Sequence, residues 1–252
     1  MRRTCVFFIS LLLFFHSVSA RAQDTIEFPL KIRIGMDVAG PAISYYNRDR
    51  LSLEGVLSLD RNEKMAYVLE GGYLKFNYSQ YNYDYRTEGV FMRAGVNFNL
   101  LKPETSTGKY WAGVGLRYGL SLFSTEVPFF RKENYWGTYN SSLPGRTSAG
   151  HFIEVSPGVR TELFKNLSIG WSVRLRLLIS GGGGRDLRPI HFPGFGNSGK
   201  ITNAGINYYI VWEIPFKTKK VIRIPETEEE EEEETPVEGL PGNEVPQNAF
   251  PY

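Results

Sequence analysis

The sequence predicts an all-β fold, an eight-stranded antiparallel up-and-down transmembrane β-barrel followed by a disordered acidic C-terminal tail. Three observations carry that expectation. The chain opens on a segment built for export, eight later segments alternate apolar and polar residues with a period of two, and the connections between them alternate short and long.

Residues 1–22 read as a secretory signal peptide. Arg2 and Arg3 form a basic start, residues 5–15 an apolar run, and Val18, Ala20 and Ala22 supply small residues for cleavage after Ala20 or Ala22. The run is shorter than the roughly 20 residues a membrane helix needs. The one cysteine, Cys5, lies inside it, so residues 23–252 carry no disulfide, thiol nucleophile or cysteine metal ligand. Cys5 also precedes most of the apolar run, which is the wrong place for lipidation. No later stretch could cross a bilayer as a helix, so any crossing must be made by strands.

The first strand, near 30–38, sets Leu30, Ile32, Ile34, Met36 and Val38 against Lys31, Arg33, Gly35 and Asp37. The second, near 51–59, sets Leu51, Leu53, Leu57 and Leu59 against Ser52, Glu54 and Ser58. The third, 66–78, is ambiguous at Glu70, and its end places Leu74, Phe76 and Tyr78 opposite Tyr73, Lys75 and Asn77. In the fourth, Val90, Met92, Ala94, Val96, Phe98 and Leu100 face away from Arg93, Gly95, Asn97 and Asn99. The fifth, 110–122, opposes Ala112, Val114, Leu116, Tyr118, Leu120 and Leu122 to Gly113, Gly115, Arg117, Gly119 and Ser121. The sixth opposes Ile153, Val155, Val159 and Leu163 to Glu154, Ser156, Gly158, Arg160 and Glu162. The seventh, 167–180, puts Trp171, Val173, Leu175 and Leu177 on one side and Ser172, Arg174 and Arg176 on the other. The eighth, 203–216, puts Ala204, Ile206, Tyr208, Ile210, Trp212, Ile214 and Phe216 opposite Asn203, Gly205, Asn207 and Glu213.

Most of these runs reach nine residues, the length of a tilted transmembrane strand, and eight is an even number as closed bacterial barrels require. DRNEK, KPETSTGK and KN join strands two to three, four to five and six to seven, and the other connections are long and aromatic. Short turns on one side and long loops on the other put both termini in the periplasm. Aromatic residues near the long loops, Tyr45, Tyr46, those of 78–85, Tyr135 and Trp136, suit interfacial girdles. A secreted soluble barrel of the lipocalin kind would share the alternation with its apolar face turned inward. The polar face here is rich in Gly and Arg, which suits a narrow interior shared by eight strands better than a wetted surface.

On that reading the interior holds a charge network of Lys31, Arg33, Asp37, Glu54, Lys75, Arg93, Arg117, Glu154, Arg160, Glu162, Arg174, Arg176 and Glu213. Isolated charges there are too costly, so they should pair and fill the barrel instead of leaving a wide pore. The barrel spans residues 23–216 and carries a net charge of +5. The tail, 217–252, has four basic and ten acidic residues, seven of them the consecutive glutamates 228–234, with five prolines. It cannot bury enough apolar surface to fold.

Other motifs do not lead to chemistry. GGGGR, residues 181–185, lacks the Lys-Ser/Thr of a phosphate loop and reads as a hinge. His151 and His191 lie on different loops without acidic or cysteine partners. His151 with Ser148 or Ser156 is the only local pairing for a lipid hydrolase, and Ser156 lies on the opposite strand face with no third member in view.

The segments FPLKIRIGMDVAGPA, WAGVGLRYGLSLFS, FIEVSPGVRTELFKNLSIGWSVRLRLL and RPIHFPGFGNSGKITNAGINYYIVWEIPF resemble an uncharacterised family of outer-membrane barrel proteins from Bacteroidota, a domain of unknown function. The similarity covers about residues 28–216. It implies the fold and the outer membrane and transfers no functional residue. Phe216 resembles the closing aromatic of the barrel assembly signal, although here the chain continues past it.

The expected function is that of a structural or interaction protein acting through its extracellular loops, without catalytic activity, metal or cofactor. Its partners are outer-membrane lipid, the barrel assembly machinery and an extracellular or periplasmic protein, not nucleic acid. A narrow anion-leaning, porin-like channel is the first alternative and a lipid-modifying outer-membrane enzyme the second.

Overall fold

The computed structural model describes residues 25–182 and 189–222. The expected signal peptide, the glutamate run of the tail and most of GGGGR lie outside the described residues. Strands β1 (Thr25–Asp37), β2 (Arg50–Asp60), β3 (Met65–Gln80), β4 (Tyr83–Asn99), β5 (Tyr110–Asn134), β6 (Gly137–Phe164), β7 (Leu167–Ser180) and β10 (Thr202–Ile222) close into one antiparallel barrel. Each is paired with its sequence neighbour, and β1 with β10 closes the ring. The long β7–β10 connection contributes a separate small ribbon, β8 (His191–Phe192) with β9 (Gly196–Asn197).

The two ends of the barrel differ. At the turn end, Asn62 Oδ1 accepts from the Lys64 and Met65 amides at 3.0 and 2.7 Å, an Asx turn that reverses the chain between β2 and β3. A four-residue helix, α2 (Pro103–Ser106), joins β4 to β5. Asn166 closes the two-residue β6–β7 turn at φ 67°, a left-handed conformation that asparagine tolerates. At the loop end, a helix α1 (Ala39–Tyr46) follows β1, and the Asp37 carboxylate accepts from the Gly40 and Ala39 amides at 2.8 and 3.2 Å. Among the described residues no helix is long and apolar enough to cross a membrane.

Alternation sorts the side chains by face. Leu175 is 50% exposed and its neighbour Arg174 is 4% exposed. The same contrast runs around the ring: Ile34, Leu57, Leu69, Met92, Leu116, Val155 and Ile206 point out, and charged or small residues point in.

The structure departs from the sequence expectation at five places. Leu30, expected on the exterior, is buried, because the pairing of β1 with β10 slips by one residue between Leu30 and Lys31 and inverts the parity there. Strand β3 runs in the opposite phase from that expected at its end: Ala66, Val68, Glu70 and Leu74 face inward and Lys75 outward. The third long connection, between the fifth and sixth strands, is mostly a hairpin in which β5 and β6 stay paired from Thr125 to the Tyr135–Trp136 tip, and β4 pairs with β5 as far as Phe130, so residues 131–134 extend past β4. Tyr85, expected in a girdle, is inside the barrel at 0% exposure. Strand β10 continues past Phe216 to Ile222, and residues 217–222, assigned to the tail, pair with β1.

Candidate functional site

The interior of an eight-stranded barrel is just wide enough for side chains to fill it, so whatever points inward must pack against its opposite numbers. Glu54, Glu70, Arg93, Arg117, Glu154 and Arg174 come one from each of β2 to β7 and meet at mid-height. Arg93 is fully buried. Its Nη2, Nε and Nη1 lie 2.5, 2.9 and 3.1 Å from carboxylate oxygens of Glu54, Glu70 and Glu154, so one guanidinium bridges three strands. Arg117 reaches Glu154 at 3.0 Å and Glu70 at 3.3 Å, and Arg174 reaches Glu54 at 2.6 Å and Glu70 at 3.5 Å. Arg176 Nε sits 2.9 Å from Glu154 and its Nη1 donates to the Phe195 carbonyl at 3.2 Å.

A second cluster lies nearer the turn end. Lys31 pairs with Glu213 and, at 2.8 Å, with Glu162. Arg33 pairs with Asp60 and lies 3.2 Å from Glu213, which Arg160 approaches at 3.3 Å. The Ser168 hydroxyl donates to Glu213 at 2.8 Å, and the Lys31 amide donates to Asp60 at 2.9 Å. Arginine suits such places because its planar fork can serve several carboxylates at once while staying charged.

Of the residues expected in this network, Lys31, Arg33, Glu54, Arg93, Arg117, Glu154, Arg160, Glu162, Arg174, Arg176 and Glu213 are brought together in the interior. Asp37 also faces inward, but it caps α1 instead of pairing with an arginine. Lys75 is on the outside, half exposed, with Glu88 at 3.9 Å. Sequence reasoning missed Glu70 and Asp60. Glu70 could have been placed by counting: Asp60 pairs with Ala66 across the turn, Leu59 faces out and pairs with Tyr67, and parity then turns Glu70 in. Asp60 stands in the DRNEK turn by sequence, although it is the last inward position of β2.

The described interior thus holds eight cations, Lys31, Arg33, Arg50, Arg93, Arg117, Arg160, Arg174 and Arg176, and seven carboxylates, Asp37, Glu54, Asp60, Glu70, Glu154, Glu162 and Glu213.

Above the mid-height cluster the filling changes. The β7–β10 connection turns into the barrel mouth and packs Phe192 and Phe195 on Phe123 and Phe152, all four buried. Phe192 stacks on Phe195 and Phe123 at centroid distances of 4.9 and 5.1 Å. Gly119 makes room, since a Cβ there would lie 2.3 Å from Phe152 Cζ. The Tyr85 hydroxyl pins this plug: it accepts from the Ile190 and His191 amides at 3.0 and 3.3 Å and donates to the His191 carbonyl at 3.1 Å. His191 Nδ1 is buried without a hydrogen-bond partner. Burial first, and then the Arg50 and Arg176 cations, push the imidazole down to about 4, so it is neutral at pH 7.

His151 meets the Tyr118 hydroxyl at 3.3 Å on the exterior, whereas Ser156 faces inward and Ser148 has the same parity as Ser156. Neither serine is turned toward the imidazole. Among the described residues no group of three or more His, Cys, Asp or Glu side chains is placed to hold a metal ion.

The chain belongs to the family described as Domain of unknown function (DUF6048), whose model matches residues 1–219. No curated protein matches it. Among solved structures it is similar to Acinetobacter baumannii CarO2, at 13% identity and a TM-score of 0.37 over 76% of this chain and 100% of that one. Neisserial surface protein A (NspA) aligns at 14% identity and a TM-score of 0.33, over 76% of this chain and 96% of that one. Neither likeness carries a residue or a property over to this chain.

Proposed function

We propose that this family member is an outer-membrane β-barrel, closed to solutes, that works as a structural or interaction protein through its loop end, without catalysis of its own. The observation that supports the membrane is the inversion of faces. Large apolar side chains form the exterior of all eight barrel strands and buried ion pairs form the interior, an arrangement that costs heavily in water and is favourable in lipid. The signal-like leader and the alternation of turns and loops fit the outer membrane with the turn end in the periplasm. Outer-membrane lipid and the barrel assembly machinery are its expected partners, and the loop end, with the β5–β6 hairpin and its exposed Tyr135–Trp136 tip, is the surface offered to a protein partner. Closure is supported by the buried ion-pair network and the aromatic plug stacked above it.

Heating tests the barrel: the unboiled protein should migrate differently from the boiled one in detergent gels, and identical migration counts against a closed barrel. Reconstitution in planar bilayers should give no steady conductance steps, whereas sustained anion-selective steps would favour the channel. Protease added to intact cells should cut the 125–149 hairpin and spare the turn end.

A further inference from the structure

Between α1 and the β8–β9 ribbon the loop end opens into a vestibule, about 1120 Å3 with the open solvent above it included, whose floor is the mid-height ion cluster. Its wall carries four arginines, Arg50, Arg93, Arg174 and Arg176, against two carboxylates, Asp37 and Glu54. Arg93, Arg174 and Arg176 are committed to the glutamates beneath. Arg50 is not. It points inward from the first position of β2, its Nε is buried without a hydrogen-bond partner, and it has no ion pair among the described residues. Phe76, its partner across β3, stacks on His191 at a centroid distance of 5.0 Å, which brings the imidazole to the same corner. The buried His191 Nδ1 has no partner either. Gly196, at φ 110°, leaves the corner open: a Cβ there would lie 3.6 Å from Asn203 Oδ1 and 3.9 Å from His191 Nε2. A guanidinium and an imidazole without partners among the described residues border a space that no described residue fills.

We propose that this vestibule is a binding site for an oxyanion of the carboxylate or phosphate type, held by Arg50 and the His191 ring with Arg176 beside them. A buried guanidinium nitrogen without an acceptor is costly, and an oxyanion supplies the charge and the acceptor lone pairs that Arg50 lacks. A neutral imidazole can donate one hydrogen bond to the same group. The apolar wall, Ile43, Leu74 and Phe91, leaves room for the organic part of a larger anion, so the oxyanion can be free or carried on a lipid headgroup. The inference needs only the fold and is independent of the membrane reading.

The test uses the full chain in zwitterionic detergent with 15N-labelled histidine rings. Titration with inorganic phosphate or with acetate should move the His191 ring signals to saturation and raise their titration midpoint by at least one pH unit, because a bound anion offsets the Arg50 and Arg176 cations. His151, on the outer face, should stay still. Arg50→Gln should weaken binding at least tenfold and Arg50→Lys much less. Asn203→Asp, which sets a carboxylate in the corner, should also weaken it at least tenfold, and heat-modifiable migration verifies that each variant is folded. A nanodisc with phosphatidylglycerol in place of phosphatidylcholine separates the sources: a His191 shift there without added phosphate identifies a headgroup ligand, and a shift only on adding phosphate or acetate identifies a free anion. A His191 response that is absent in every arm, equal for chloride, or unchanged in both Arg50→Gln and Asn203→Asp overturns the proposal.

Discussion

The two halves of the barrel interior solve one problem with opposite chemistry. From the turn end to mid-height the space is filled by long charged side chains that reach across from the strands, and Arg93 alone connects β2, β3 and β6 through their glutamates. In the loop half the filling is aromatic and half of it comes from outside the barrel wall, since Phe192 and Phe195 arrive on the β7–β10 connection. In the charged half, removing a member leaves the buried charges around it short of a counter-charge. The aromatic half has no such penalty and is attached through one connection, so the two should differ in how they fail.

The largest expected effect is therefore in the charged half. Arg93→Leu leaves Glu54, Glu70 and Glu154 short of a shared cation and should cost roughly 3 to 5 kcal/mol, read as a lower midpoint of urea unfolding in detergent. An unchanged midpoint would mean that the cluster contributes nothing that hydration of the interior cannot replace. Next comes the outer wall as a control: Leu175→Arg, one residue from Arg174 and 50% exposed, should cost roughly 2 to 4 kcal/mol in lipid if it lies near the bilayer midplane. Tolerance of Leu175→Arg would invert the assignment of the faces.

Phe192→Ala should move the barrel midpoint less than either. Its effect should appear instead as faster amide exchange of 189–197 while the strand amides keep their protection. Equal loss of protection in the strands would show that the plug and the barrel unfold together. The smallest effects are expected at exposed pairs. Lys75→Ala, with Glu88 3.9 Å away and both side chains half exposed, should change stability by less than about 1 kcal/mol. Glu63 at the turn end is similar: partial burial pushes its carboxyl up, but the Lys219 ammonium at 2.8 Å outweighs that and holds it below its usual value. A lowered value means that its contribution is present above the unfolded carboxyl value and is lost as pH falls through the folded one. Glu63→Gln should remove that small acid-side dependence and nothing else.

The legible part of the molecule is where alternation runs unbroken. In β4, β7 and the first part of β5, strict period two places Arg93, Arg117, Arg174 and Arg176 inside without reference to any other strand. Where the alternation is ambiguous, the neighbouring strand decides. Ala66, Tyr67, Val68 and Leu69 are apolar or aromatic on both faces, so residues 66–69 fit either phase, and the turn from β2 and the arginines opposite settle that Glu70 goes in and Lys75 out. The one-residue slip that buries Leu30 is likewise a property of the β1–β10 pair, invisible in β1 by itself.

Amino-acid order by itself determined the eight strands, the charged face of most of them and the sorting of short turns from long loops, because a period of two and turn chemistry are local properties of a chain. Tertiary structure decided which arginine meets which glutamate, the entry of Phe192 and Phe195 into the mouth, the continuation of β5 and β6 as a paired hairpin, and the corner where Arg50 and His191 meet. Those contacts join residues up to 182 positions apart, as in Lys31 with Glu213, and closing the ring is the only thing that brings them within reach.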